Sequence, residues 1–250
     1  MEEKIKFAII GYGKMGKMVE SLLRAAGEEV VAVIDDDVQW AQQWNSFCTA
    51  DVAIDFSMPA VAVDNILRAF EAQVPIVVGT TGWYDRLDEV LDKGRACGAS
   101  MVYGTNFSIG VHIFNRMNEW LAAEMRQYAQ YIVAIDETHH TAKKDAPSGT
   151  AITLAEGILR QYPAYTRWQL TAEGEDVPPQ TIPVHAHRLG DVSGIHTVSW
   201  TSSEDTITIT HNAHGRQGFA AGAIRAARWL VNHPHTICPF TETFQEFIHH

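Results

Sequence analysis

Lys4-Ile5-Lys6-Phe7-Ala8-Ile9-Ile10-Gly11-Tyr12-Gly13-Lys14-Met15-Gly16 is an apolar run that closes on three glycines spaced G-x-G-x-x-G. A helical pattern follows through Val19, Leu22, Leu23 and Ala26, and a second apolar run, Val30 to Ile34, ends in Asp35. Strand, glycine turn, helix, strand and acid is the order of a dinucleotide-binding unit. One glycine makes the tight turn, one lets the backbone approach a pyrophosphate, and one lets helix and strand pack closely. Gly11, Tyr12, Gly13, Lys14, Met15 and Gly16 are therefore candidate cofactor contacts. Asp35, 19 residues past Gly16, is spaced to accept hydrogen bonds from the adenosine ribose hydroxyls. The spaced glycines alone are weak evidence; the flanking strand, helix and acid give them their meaning.

Asp36 and Asp37 follow Asp35, and no Lys or Arg lies between Ala32 and Trp40 to meet a 2′-phosphate. NADH is therefore expected to be preferred over NADPH, with Lys14 and Lys17 the cations able to serve the latter. The alternation continues beyond this point. Asp51 to Phe56, Pro75 to Val78 and Ser100 to Tyr103 read as buried strands, with helices over Ala60 to Ala72 and Trp83 to Ala96. Such alternation predicts a Rossmann-type, doubly wound parallel sheet, whose ligands lie beyond the strand carboxyl ends. Gly79-Thr80-Thr81 and Gly104-Thr105-Asn106-Phe107 sit at two such ends and are further candidate cofactor residues, although Gly, Thr and Asn are also ordinary turn residues.

The pattern then changes. Gly110 to Tyr128 has a helical apolar face, and Thr181 to Arg188, Ile195 to Trp200 and Thr206 to His211 alternate as strands without helices between them. Glu173 to Pro183 reads as a long loop. A helical stripe returns from Phe219 to Val231. The expected organisation is an α/β chain with a dinucleotide-binding domain over 1–107 and 217–250. An inserted α+β domain, with a mixed or antiparallel sheet, covers 108–216 and carries substrate binding and oligomerisation, and the cleft between the two is the natural active site.

The chemistry concentrates in Glu137-Thr138-His139-His140-Thr141-Ala142-Lys143-Lys144-Asp145-Ala146-Pro147-Ser148-Gly149-Thr150-Ala151. A strand is expected to enter this stretch and a helix to leave it from about Ser148, so cations and free backbone N–H groups gather at one turn, which suits a small dianion. His139 and Lys143 form the proton-handling end, with an imidazole acid beside an ammonium. Ser148, Gly149 and Thr150 open the helix and offer N–H groups to a carboxylate. Adjacent strand residues face opposite ways, so only one of His139 and His140 easily serves a given spot. Any one of these residues alone would read as a helix cap or a solvated side chain; their clustering carries the case.

Composition narrows the alternatives. At 250 residues, 46% apolar and 20% charged, the chain is long enough for packed domains, and its net charge of −11 argues against nucleic-acid or membrane-surface partners. The three cysteines are scattered, without a C-x-x-C pair, as in a reducing cytoplasm. The start of the chain carries no leader pattern, and no apolar run reaches the length of a membrane span. Among twelve histidines the pair His185 and His187 shares a strand face, but it lacks a third ligand at informative spacing, so no metal is expected. The terminal His249-His250 is compatible with either a native end or an added one.

The Glu137–Ala151 run closely resembles the signature of the 4-hydroxy-tetrahydrodipicolinate reductase (dihydrodipicolinate reductase) family. The resemblance extends through the glycine turn, Asp55-Phe56-Ser57, Gly79-Thr80-Thr81-Gly82, Asn106-Phe107-Ser108, Gly190-Asp191, Gly194, His196, Thr210-His211 and Phe219-Ala220. It implies an NAD(P)H-dependent reduction of a cyclic dicarboxylate in lysine and diaminopimelate synthesis. It further implies a proton donor at His139 assisted by a substrate-binding Lys143, and ring carboxylates held by His140, Ser148, Gly149 and Thr150. A cytoplasmic homotetramer joined through the second domain's sheet is also implied. Two features depart from some members: the glycine turn is one residue shorter, and Asp36 stands where an Arg would meet the NADP phosphate. Rival readings are another two-domain dehydrogenase or a non-catalytic NADH sensor. The Glu-Lys-Pro motif of sugar-type oxidoreductases is missing, and no cysteine sits in a recognisable nucleophile turn.

Overall fold

The computed structural model describes residues 4–247, with side chains described through residue 243, so Met1 to Glu3 and the His249-His250 pair lie outside the described residues. In chain order the elements are β1 (Lys6–Ile10), α1 (Lys14–Ala25), β2 (Glu29–Ile34), α2 (Asp37–Phe47), β3 (Val52–Asp55), α3 (Pro59–Glu71), β4 (Ile76–Val78), α4 (Leu87–Cys97) and β5 (Met101–Tyr103). They continue with α5 (Ile109–Met125), β6 (Ile132–His139), α6 (Gly149–Gln161), β7 (Arg167–Leu170), β8 (Thr181–Arg188), β9 (Ile195–Thr201) and β10 (Thr206–Asn212). The last three are α7 (Gln217–Val231), β11 (Ile237–Pro239) and α8 (Phe240–Phe247). Two compact units result: residues up to Ile109 with those from Arg216 onward, and Gly110–Gly215.

The first unit is built on a six-stranded sheet, ordered β11-β5-β4-β3-β1-β2, in which every pairing is parallel. Apart from Lys6, Glu29 and Asp55 at strand ends, its strands are built mainly of apolar residues because both faces are covered. Ala8, Ile10, Ala53, Ile76 and Val78 enter one core with Trp40, Ile66 and Trp83, whereas Phe7, Ile9, Val52, Ile54 and Val77 enter the other with Val19, Ala223 and Leu230. The order reverses at β1, with β2 on one side and β3 on the other, and this is where an open α/β sheet leaves a crevice at its carboxyl edge.

Besides α8, three elements of this unit escaped the sequence reading. Helix α2 is capped by the Asp36 side chain, which accepts from Gln39 N, and it buries Trp40 and Phe47. The expected helix from Trp83 begins as a 3-10 turn, Tyr84–Arg86, before α4. β11 is too short to show a period, and it is held by pairing to β5 and by burial of Cys238.

The second unit has a five-stranded sheet, ordered β10-β9-β6-β8-β7. Of the two arrangements expected, mixed or antiparallel, the sheet is mixed: β9 runs antiparallel to β6 and β10, and β8 is parallel to both β6 and β7. β8 has the expected bounds, Thr181–Arg188, so the loop ends before Thr181 rather than at Pro183, which lies opposite Gln169 of the exposed edge strand β7. Strand β6 alternates strictly. Val133, Ile135, Glu137 and His139 are buried on one face, against the side covered by α5 and α6 through Phe114, Ala122, Leu154 and Ile158. That period of two sends a carboxylate and an imidazole into the same covered face as two aliphatic side chains.

Candidate active site

In the first unit the candidate cofactor residues share one edge. In-register pairing of Ile10 with Asp55, Asp55 with Val78, and Val78 with Tyr103 brings the ends of β1, β3, β4 and β5 level, so the Gly11–Gly16, Gly79–Thr81 and Gly104–Phe107 turns emerge together. A Cβ on Gly16 would stand 2.0 Å from the Gly11 carbonyl oxygen, so only glycine lets α1 start this close to β1. Gly13 precedes α1 without a side-chain cap, which leaves the N–H groups of the first turn available for an anion. Asp35, exposed at the end of β2, accepts from Tyr12 N at 2.6 Å with Oδ1, which holds its carboxylate at the glycine turn. A cavity of about 300 Å³ opens here, lined among others by Gly11, Asp35, Asp36, Asp37 and Arg68. These features fit the adenosine half of a nicotinamide dinucleotide.

Arg68 is the cation that local sequence reading overlooked. Helix α3 delivers it to the cavity, where its Nη2 pairs with Asp37 Oδ1 at 2.9 Å and its guanidinium lies 5.2 Å from the Trp40 ring centroid. Two candidates also take a different place from the one expected. Phe107 is 2% exposed, with its ring against Phe240 at 4.6 Å, so its side chain is core rather than ligand contact. Thr80 is buried and donates through its hydroxyl to Asp55.

Asp55 is itself fully buried, a carboxylate ending an otherwise apolar strand. It collects Ser57 N at 3.0 Å, Ser57 Oγ at 2.9 Å, Asn65 Nδ2 at 3.1 Å and the Thr80 hydroxyl, and Asn65 Oδ1 in turn receives Trp40 Nε1 at 3.0 Å. Burial pushes its pKa up and these donors pull it back. The network ties the turns after β3 and β4 to α2 and α3. Asp55→Ala should leave several buried polar groups unpaired and lower unfolding stability by about 2–4 kcal/mol in urea titration.

The second unit holds the proton-handling candidates. His139, the last residue of β6, is buried, whereas His140 just beyond the strand is half-buried, as the alternation of faces predicts. Lys143 is 20% exposed, and its Nζ donates to Asp145 Oδ2 at 2.6 Å, which holds the Asp145 carboxyl below its usual range. Ser148 caps α6, its Oγ accepting from Ala151 N at 3.2 Å, with Gly149 and Thr150 following as the first helical residues. One detail differs from expectation: Ser148 N–H does not face outward but donates to Glu137 Oε2 at 2.9 Å. Gly149 and Thr150 lie nearer the surface, Gly149 exposed and Thr150 half-buried.

Glu137, Arg188 and His196 complete the group, and residue-type reasoning did not single them out. Sheet register explains their presence: His196 on β9 lies opposite Glu137, and Arg188 on β8 lies opposite His139. Glu137, fully buried, has Arg188 Nη1 3.3 Å from Oε1, and His139 Nδ1 and His196 Nε2 at 3.7 and 3.8 Å from Oε2. Arg188 also donates to the carbonyls of His187 at 2.8 Å and Asp145 at 2.6 Å, fastening the loop that carries Lys143. His196 Nε2 meets Ser148 Oγ at 3.1 Å. Its pKa is pushed down to about 4, first by burial and then by His139, so it is neutral at pH 7. Burial also lowers the His139 pKa; Glu137 opposes that shift while Lys143 and Arg188 add to it.

Ligating atoms of Glu137, His139 and His196 lie within 4.8 Å of one another, the one such trio found among the described residues. Arg188 and Lys143 place positive charge on the same spot, which disfavours a cation and favours a proton network. The His185 and His187 pair occupies the other face of the sheet, where His185 Nδ1 meets Asp136 Oδ1 at 2.9 Å.

Known proteins resemble this chain over most of its length. The family models described as dihydrodipicolinate reductase, N-terminus and C-terminus, match residues 5–107 and 110–243. The chain belongs to the dihydrodipicolinate reductase family. It is 43% identical over 226 residues to the 4-hydroxy-tetrahydrodipicolinate reductase of Christiangramia forsetii, covering 90% of this chain and 92% of that one. It is 35% identical over 246 residues to that of Staphylococcus aureus, covering 94% and 99%. Among solved structures, dipicolinate-bound dihydrodipicolinate reductase from Paenisporosarcina sp. TG-14 shares the fold, with TM-score 0.75 at 23% identity over 95% of this chain and 98% of that one. GenD2 from gentamicin A biosynthesis, in complex with NAD, resembles it more distantly, with TM-score 0.56 at 14% identity over 98% and 93%.

Proposed function

We propose that this chain is an oxidoreductase that reduces 4-hydroxy-tetrahydrodipicolinate to tetrahydrodipicolinate with a nicotinamide dinucleotide, in lysine and diaminopimelate synthesis. The observation that carries this reading is the cluster at the end of β6, where a buried imidazole, an ammonium group and a capped helix start occur together in a member of this family. The first unit holds the cofactor through the glycine turn and Asp35, and the second holds the substrate and assembles with itself. When bound, the nicotinamide supplies the hydride that reduces ring C4 after the 4-hydroxyl has left as water. His139 gives the accompanying proton to the resulting enamine from Nε2, the ring nitrogen away from Glu137. Lys143 binds a ring carboxylate and assists, while Gly149 and Thr150 N–H groups, with His140 and Ser148, hold the ring's carboxylates. NADH oxidation followed at 340 nm with freshly generated substrate tests this, and no oxidation would favour a cofactor sensor instead.

NADH is the preferred reductant in this reading. Asp35, Asp36, Asp37 and Asp64 surround the cavity beside the ribose position, and the Arg68 charge there is already met by Asp37. A 2′-phosphate would add to that negative field. The ratio of kcat/KM for NADH over NADPH is expected to exceed about 10, and a clear preference for NADPH would overturn this assignment.

Assembly is proposed to be a homotetramer through the second unit's sheet. Its uncovered face carries an exposed Ile132 and hydroxyl pairs such as Thr197 with Thr210 and Ser199 with Thr208. Light scattering would give the number of chains. Cytoplasmic residence suits three cysteines that form no disulfide among the described residues, and no described helix is long and apolar enough to cross a membrane.

A further inference from the structure

We propose that Glu137 is the positioning residue of this site: one buried carboxylate orients the His139 ring through Nδ1 and at the same time anchors the Ser148 N–H at the start of α6. Proton donor and carboxylate cradle are then set by a single group. The inference rests on the reading of His139 as the acid, and it goes beyond it by naming what holds that acid in place.

Three observations support it. Glu137 is 0% exposed on a face it shares with Val133, Ile135 and His139, and a carboxylate there costs stability unless its charge is met. Arg188 meets it at Oε1, which leaves Oε2 for Ser148 N at 2.9 Å and His139 Nδ1 at 3.7 Å. His139 Nδ1 is buried and has no hydrogen-bond partner, so the carboxylate beside it is the group able to fix the ring's orientation and stabilise a proton on it. At 3.7 Å the contact is an ion-pair distance that becomes attractive when the imidazole is charged.

The far side of the ring is kept clear. A Cβ on Gly194 would stand 3.2 Å from His139 Nε2, so glycine at that position leaves Nε2 open. His196 does not draw the Glu137 charge away, because its own pKa of about 4 keeps it neutral. The charged or titratable groups around His139 are thus Glu137 on β6, Lys143 and Asp145 on the following loop, Arg188 on β8 and His196 on β9. Only Glu137 and Asp145 favour the imidazolium, and Glu137 does so more.

Glutamine at this position separates the two roles. Its side-chain carbonyl can still accept from Ser148 N–H, but the negative charge beside Nδ1 is gone. In Glu137→Gln the NMR titration midpoint of the His139 imidazole, measured on the full chain without substrate or cofactor, should fall by about one pH unit. Affinity for pyridine-2,6-dicarboxylate should change less than about threefold, and the kcat–pH profile should lose activity at a pH about one unit lower. Glu137→Asp keeps the charge but withdraws it by one methylene, so it should shift the midpoint in the same direction by less. An unmoved His139 midpoint in either folded variant would overturn the proposal. Because the titration is read without turnover, a wild-type chain that fails to oxidise NADH would refute the proposed function while leaving this result standing.

Discussion

Replacing His139 with glutamine is expected to lower kcat by about 10²–10³-fold while KM changes only a few-fold. Glutamine keeps much of the volume and hydrogen-bonding capacity of the ring, so the packing beside His196 and Glu137 survives, but it has no proton to give near neutrality. The buried free imidazole titrates below its ordinary range. A substrate carrying two carboxylates favours the charged ring and raises that pKa again. As the donor must be protonated, activity falls as pH rises through its pKa. The fall in kcat should therefore lie at higher pH than the fall in kcat/KM, which reports the free enzyme. Both should disappear from the His139→Gln profile. A variant with wild-type kcat would remove His139 from its role.

Lys143→Ala is expected to damage both parameters, with KM rising and kcat falling by about 10–100-fold each. The ammonium group is held by Asp145 at 2.6 Å while its loop is fastened by Arg188, so it is a placed charge rather than a wandering one. A charge-assisted bond to a substrate carboxylate made in both ground and transition states appears in KM, and help to the proton transfer appears in kcat. Arginine should not restore activity, because its planar fork presents donors in a different geometry. A rise in KM with kcat intact would reduce Lys143 to substrate binding alone. Steady-state kinetics with stopped-flow single turnovers separates these cases.

What was legible in the chain followed a simple rule: features generated by local periodicity or spacing could be read, and features generated by register could not. The glycine turn, its flanking strands and the Asp35 acid are contiguous, so the doubly wound sheet was visible at once. The Glu137–Ala151 run was equally plain. Glu137 itself was within reach, since it lies two residues before His139 and must share its face, yet a glutamate on a strand ordinarily reads as solvent-facing. His196 and Arg188 come to the site from β9 and β8, more than fifty residues along the chain from Glu137 in each case, and only strand pairing reveals them as neighbours. The parallel placement of β8 was hidden for the same reason. Arg68 escaped because it is far from Asp35 in sequence, and α3 brings it to the cavity from across the crevice, where Asp37 meets its charge.

The interruption of the first unit by the second bears on how the polypeptide is made. The inserted unit's core, from Phe114 to Trp200, is complete as soon as its own residues have emerged. The surrounding unit is not: one side of its sheet is covered by Ala220, Ala223, Ala227 and Leu230 of α7, and β5 pairs with β11 near the very end. At about 5–20 residues per second the nascent chain carries that uncovered apolar face for several seconds or longer. The segment translated second is thus the first able to finish folding, and the unit that surrounds it is completed only afterwards.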